Sequence, residues 1–69
     1  MAYLDLEKIF TYNPPKGNQS ERYSEIRSKA KEFCELIQKN SPESAEQTLA
    51  IRKIEEAVMW ANAGIARNE

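Results

Sequence analysis

Two ladders of apolar residues limit what this chain can fold into. Tyr23, Ile26, Ala30, Phe33 and Ile37 step by three, four, three and four, and Ile51, Ile54, Val58, Ala61 and Ile65 repeat the same steps. That spacing lays each set along one side of an α-helix, in the manner of a coiled-coil seam. Between the ladders stands Asn40-Ser41-Pro42. Asn can end a helix in a left-handed conformation, and Pro is tolerated in a first turn. Two seams joined by a short turn make an antiparallel helical hairpin. Ser20 is the expected N-cap of the first long helix, which should reach about Lys39. Ser44-Ala45-Glu46-Gln47 fits a capping box for the second, with Ser44 at N-cap and Gln47 at N3. Ser41 with Pro42 at N1 is the competing start, and the helix should run to about Arg67. A shorter helix is expected around Leu4 to Phe10, capped by Asp5, with Leu6, Ile9 and Phe10 on one side. No strand pattern, internal repeat or low-complexity tract interrupts this reading. The predicted fold is therefore all-α, a short N-terminal helix plus an antiparallel two-helix hairpin, in a single domain over residues 1–69.

The last helix carries more apolar surface than one seam uses. From Ala57 to Ala66 the chain reads Ala-Val-Met-Trp-Ala-Asn-Ala-Gly-Ile-Ala, with Asn62 as the one polar residue. A helix apolar on nearly all sides is covered on nearly all sides, and a hairpin partner covers one. A chain of 69 residues buries little apolar surface alone and commonly needs a staple. One cysteine, Cys34, rules out an intrachain disulfide, and with no histidine a zinc site has too few ligands. The expected staple is a homo-oligomer. Ala57, Ala61 and Gly64 are small enough to let a neighbouring helix come close, and Met59 and Trp60 are natural interface anchors. The competing reading is a compact three-helix fold whose short first helix covers this surface. Asn62 either fixes the register of helices between subunits or sits wet at the edge of the face.

Charge and chemistry narrow the function. A net charge of −1 gives no global field for nucleic-acid polymers. No run approaches membrane-spanning length and no signal peptide is visible, so a soluble intracellular protein is expected. There is no catalytic constellation. Without histidine, acid–base work would fall to carboxylates and lysines, which are spread as on solvated helix faces. Glu55 and Glu56 are adjacent in sequence and point about 100° apart on a helix. Cys34 is expected to pack as a small apolar residue. No cofactor or metal site is expected. Residues 10–19, Phe10-Thr11-Tyr12-Asn13-Pro14-Pro15-Lys16-Gly17-Asn18-Gln19, are more telling. Prolines stiffen the loop, Tyr12 supplies a stacking face and Lys16 a counter-charge for phosphate. Arg22, Arg27, Lys29 and Lys31 follow in the first half of the next helix, opposed by Glu21 and Glu25, with Glu25–Lys29 an expected i,i+4 pair. On these residues alone a plain inter-helix connector stands beside a small-nucleotide site.

The segments Phe10-Thr11-Tyr12-Asn13-Pro14-Pro15-Lys16-Gly17, Arg22-Tyr23, Ile26-Arg27, Glu55-Glu56-Ala57-Val58-Met59-Trp60-Ala61-Asn62-Ala63 and Ile65-Ala66-Arg67 together resemble the helical-hairpin domain of bacteriophage anti-defence sponges. These are the anti-CBASS cyclic-nucleotide sponges and the Thoeris anti-defence sponges, and the resemblance covers about residues 7–67. It implies a protein that holds cyclic nucleotide immune signals without cleaving them, in the cytoplasm of the infected bacterium. It implies a homo-oligomer, typically a hexamer, with cyclic dinucleotides between protomers and cyclic trinucleotides in separate pockets on a threefold axis. By the same resemblance Tyr12 would stack on a base, Asn13 and Pro14 would shape the pocket, and Arg27 would meet a phosphate. Lys29 and Arg67 are its candidates for a trinucleotide pocket. Thoeris-directed members bind cyclic ADP-ribose isomers, a further alternative. From a different class, a small helical protein-interaction or adaptor module without a nucleotide ligand is the remaining reading.

Overall fold

A computed structural model describes residues 4–69. Three helices follow one another: α1, Leu6–Phe10; α2, Gln19–Asn40; and α3, Ala45–Asn68. No strand occurs among the described residues. α2 and α3 form the antiparallel hairpin, and theirs is the one extensive helix–helix packing. At ~1.5 Å per residue these are rods of roughly 33 and 36 Å.

The caps follow local chemistry. Asp5 caps α1, its side chain accepting from the Lys8 N–H at 3.1 Å. Ser44 caps α3, its hydroxyl accepting from the Gln47 N–H at 3.1 Å, so the Ser41 start is not used. The box is not reciprocal, however. The Gln47 amide turns away from Ser44 and donates to the Ser41 carbonyl and Oγ at 3.0 and 3.1 Å, which stitches α3 to the end of α2. Asn40 does not take a left-handed conformation. It remains the last residue of α2, its Nδ2 donating to the Leu36 carbonyl at 2.8 Å, and Ser41 leaves the helix in an extended conformation.

α2 begins two residues earlier than expected. Asn18, not Ser20, stands at the cap, and its side chain is spent on Arg22 rather than on a helix N–H. The cause is the turn before it. Gly17 has φ +56, the one positive φ among the described residues, and the Gln19 N–H donates to the Lys16 carbonyl at 3.0 Å. A glycine tolerates that backbone without a Cβ clash, and the chain enters the helix directly from it.

The seams also shift. Cys34 rather than Phe33 turns inward on α2, and Asn62 rather than Ala61 on α3; Phe33 is 53 % exposed. Eleven residues close three helical turns to within about 20°, whereas ten fall about 80° short. Counting from Tyr23 and from Ile51, the inward positions are thus 34 and 62. The Glu25–Lys29 pair gives way to Lys29–Glu32 at 3.3 Å, and Arg52–Glu55 and Lys53–Glu56 pair at 3.1 and 3.8 Å. Pairs of either spacing contribute only about 0.2–0.5 kcal/mol, too little for sequence to choose between them.

The hairpin has no dry interior. Among the described residues no apolar side chain is buried, and the buried residue is Gln19, at 3 % exposure. Leu4, Leu6, Phe10, Leu36, Leu49, Met59 and Trp60 all face outward. The radius of gyration is 15.2 Å, against about 11 Å for a compact chain of this length. The accessible surface is 5809 Å², while a compact protein of this mass exposes about 4,450 Å². α1 therefore does not cover the apolar side of α3. It lies against the last turns of α3, where Ile9 is half-buried.

Candidate functional site

The open end of the hairpin, where α2 begins and α3 finishes, is closed by α1 and the proline loop. Pro14 and Pro15 have no N–H to satisfy and hold the residues before them extended. Asn13 donates from Nδ2 to the Thr11 carbonyl at 3.1 Å, a local bond that shapes the loop's entrance. The loop's exit is fixed by Gln19. Its Oε1 accepts from the Lys16 N–H at 3.1 Å, and its Nε2 donates to Glu69 Oε1 at 3.3 Å. Glu69 also takes both terminal nitrogens of Arg22, Nη1 at 2.9 Å to Oε2 and Nη2 to Oε1, while Arg22 Nε donates to Asn18 Oδ1 at 3.0 Å. The hydrogen bond from Arg22, then that from Gln19, lowers the Glu69 carboxyl to about 2, and Arg22 is correspondingly raised by the same bond.

Three clefts open around this knot. One of about 220 Å³ is lined by Asn13, Pro14, Pro15 and Lys16 of the loop and by Gln19, Ala66 and Glu69. A second, about 320 Å³, gathers Lys8, Thr11, Asn13 and Arg67 together with Asp5 and Glu7. A third, about 430 Å³, lies between α1 and α3 and brings Lys8 and Arg67 beside Trp60 and Asn68. Of the residues singled out in sequence, Asn13, Pro14, Lys16 and Arg67 thus meet at one end of the molecule. Tyr12, Arg27 and Lys29 line none of these clefts. Tyr12 is 79 % exposed on the outer side of the loop. Arg27 is two helical turns on from Gln19, about 12 Å along the axis, where its Nη2 donates to Ser24 Oγ at 3.3 Å. Lys29 is paired with Glu32.

Lys8, Gln19 and Glu69 were not read from sequence as site residues. Polar residues carry no periodic signal, but chain geometry carries one. Folding the chain about the 41–44 turn sets residue 19 opposite residue 66, one helical turn from Glu69. Met59, Trp60, Ala57 and Ala61 lie on the exposed side of α3, and a Cβ built on Gly64 would meet nothing within 4 Å. Asn62 is half-buried, and its Oδ1 is shielded from solvent without a hydrogen-bond donor among the described residues. No cluster of three or more metal-ligating side chains occurs among the described residues. No described helix is long and apolar enough to cross a membrane.

The sequence matches the Acb2/Tad1 hairpin domain over residues 3–66. This chain belongs to that family. Acb2/Tad1 hairpin proteins are the anti-CBASS and Thoeris sponges, binding rather than catalytic proteins that take up immune signalling molecules. No curated protein and no solved structure matches the chain.

Proposed function

We propose that this protein sequesters cyclic dinucleotide immune signals, holding them uncleaved in sites completed by neighbouring copies of the chain. The observation that carries the reading is a pairing of uncovered groups. Tyr12 presents its ring almost wholly to solvent on a loop held at both ends. Arg27 makes no ion pair among the described residues, whereas Arg22, Lys29, Arg52 and Lys53 all do. An open aromatic face and a guanidinium whose contact is to a hydroxyl and not a carboxylate are what a base and a phosphate require. They do not share a cleft within one protomer, so the ligand is held between two. Asn13, Pro14 and Lys16 shape the loop side of the site. Arg67, gathered with Lys8, and Lys29 are the candidates for a separate cyclic trinucleotide pocket.

The assembly is a homo-oligomer, a hexamer by family habit, built on the face of Ala57, Met59, Trp60, Ala61 and Gly64. The excess accessible surface, on the order of 1,000 Å², is enough for one standard interface of about 800 Å² per partner. The protein acts in the cytoplasm of the infected bacterium, depriving a CBASS effector of its activator.

Titration calorimetry and thermal shift against a panel of cyclic dinucleotides, cyclic trinucleotides and cyclic ADP-ribose isomers test the reading. A cyclic dinucleotide should raise the melting temperature by mass action on the folded state, and ligand released by heat should be chemically intact by chromatography. A response confined to cyclic ADP-ribose isomers would transfer the protein to the Thoeris branch. No response to any member of the panel would leave a helical adaptor. Linear products would make it an enzyme.

A further inference from the structure

The knot of Gln19, Arg22 and Glu69 has a direction to it. Gln19 is the most buried side chain described, yet it is polar, and it is engaged at both ends: its amide oxygen holds the Lys16 N–H, its amide nitrogen holds Glu69, and its backbone N–H holds the Lys16 carbonyl. The orientation of the amide is forced. A backbone N–H requires the oxygen on one side, and a carboxylate requires the nitrogen on the other. Glutamine can do both at once; glutamate would set two carboxylates against each other, and leucine would leave the Lys16 N–H unpartnered and Glu69 held by Arg22 alone. Glu69 in turn is oriented by the two-pronged grip of Arg22, whose own Nε is steadied by Asn18. A chain of contacts therefore runs from the last turn of α3 to the backbone of Lys16. The residues it reaches are those that frame the cleft of Asn13, Pro14, Pro15 and Lys16.

We propose that Arg22, Gln19 and Glu69 are positioning residues: a latch by which the end of α3 fixes the proline loop in its binding conformation. Arg22 does not serve as a phosphate ligand, because its terminal nitrogens are occupied by Glu69. The latch sets the geometry of the loop whether or not a ligand is bound. Only its consequence for affinity rests on the cyclic-nucleotide reading above.

The test uses amide hydrogen exchange on the full chain, read at two sites. The Lys16 N–H reports the latch. The Gln47 N–H, capped by Ser44 at the opposite end, reports whether the hairpin itself is intact. Glu69→Arg removes the acceptor of the Gln19 amide and sets two guanidiniums face to face. Exchange at Lys16 should quicken by about tenfold or more, as expected for a local opening, with Gln47 unchanged. Arg22→Glu should act in the same direction. Glu69→Asp keeps a carboxylate for both Arg22 and the Gln19 amide and should retain more of the Lys16 protection than Glu69→Arg, a graded response that a merely destabilising substitution does not give. In parallel, affinity for the tightest-binding cyclic dinucleotide should fall in Glu69→Arg and in Arg22→Glu, and less in Glu69→Asp. Unchanged exchange at Lys16 in Glu69→Arg while Gln47 stays protected overturns the latch. Should Gln47 lose protection in Glu69→Arg, the milder Glu69→Gln decides the matter by the same two amides. Absence of nucleotide binding by the unaltered protein defeats the proposed function and leaves the exchange arm to judge the latch alone.

Discussion

Trp60→Ala is the most direct probe of the proposed assembly. In the isolated hairpin Trp60 is 64 % exposed, which leaves roughly 160 Å² open if the whole side chain offers about 250 Å². Covering that area contributes about 4 kcal/mol at ~25 cal/mol/Å². Side-chain ordering and the carbon retained by alanine reduce the figure, and buried tryptophans at interfaces commonly cost ~2 kcal/mol or more on truncation. An expected loss of about 2–4 kcal/mol per contact corresponds to a dissociation constant raised roughly 30- to 700-fold. The assay is a dilution series followed by light scattering and sedimentation. The unaltered chain should hold a mass several times 8.0 kDa into the micromolar range, and Trp60→Ala should come apart at higher concentration. Tyr12→Ala, remote from this face in sequence, is the control and should keep its mass. Two results would refute the reasoning. One is a monomeric unaltered protein at micromolar concentration. The other is an assembled protein whose dissociation is unmoved by Trp60→Ala.

Four further outcomes follow from the same structure. By calorimetry, Tyr12→Ala and Arg27→Ala should each weaken cyclic dinucleotide binding by about 1–3 kcal/mol, with Arg27→Lys recovering only part, since an ammonium cannot supply a two-pronged contact; wild-type affinity in both alanine variants would place the ligand elsewhere. Ser44→Ala removes the α3 cap and should cost about 1 kcal/mol, a fall of about 4–8 °C in melting temperature for a chain of this size. Gly17→Ala forces a Cβ into a left-handed backbone at φ +56 and should cost about 1 kcal/mol, although the space around it is open, so the loss is conformational rather than steric. The Glu69 carboxyl is depressed from 4.5 to about 2, so whatever it contributes is present above about pH 4.5 and is lost as the pH falls toward 2; melting curves of the unaltered protein and Glu69→Gln should differ at pH 6 and converge near pH 2, and a constant difference would exclude the ion pair as its source.

How much of this was legible in the sequence depends on which force decides each feature. The two long helices and their antiparallel pairing were, because apolar periodicity and the Ser44 and Asp5 caps are local signals that tertiary packing did not override. The exact seam was not. Helix geometry puts positions 34 and 62 nearer the seams than 33 and 61, but hydrophobicity favours the residue that the structure turns outward in both cases. The start of α2 was expected at Ser20, a favoured capping type, but the turn set by Gly17 brings the chain into the helix two residues sooner. In the candidate site, Pro14 and Lys16 declared themselves by composition and Asn13 by the family resemblance, and all three line the clefts, whereas Tyr12, equally plain in the sequence, lines none. The Gln19–Glu69 contact spans a separation of 50 residues and joins two polar side chains, which no periodicity marks.

The hairpin's one buried side chain is an amide engaged with the proline loop, while its seam residues are only half-buried and Phe33, Leu36, Leu49, Met59 and Trp60 stand in solvent. Such a protomer lacks the usual division between core and surface, and the proposed assembly would tie that lack to function. If the ligand sits between copies, each bound molecule adds contacts that only the assembled state provides, so it must favour that state by mass action. Ligand should then shift the dissociation of the weakened Trp60→Ala assembly back toward lower concentration. Asn62 fits the same scheme. Its Oδ1 lacks a donor within the chain, and leaving such an atom unpaired costs about 1–3 kcal/mol. A donor from a neighbouring copy would remove that cost on assembly and fix the register in which the copies meet. Asn62→Leu separates the two cases. A loss of assembly or a mixture of masses marks a cross-subunit partner. A gain in stability with the mass unchanged shows that the atom stays unpaired in the assembled protein as well.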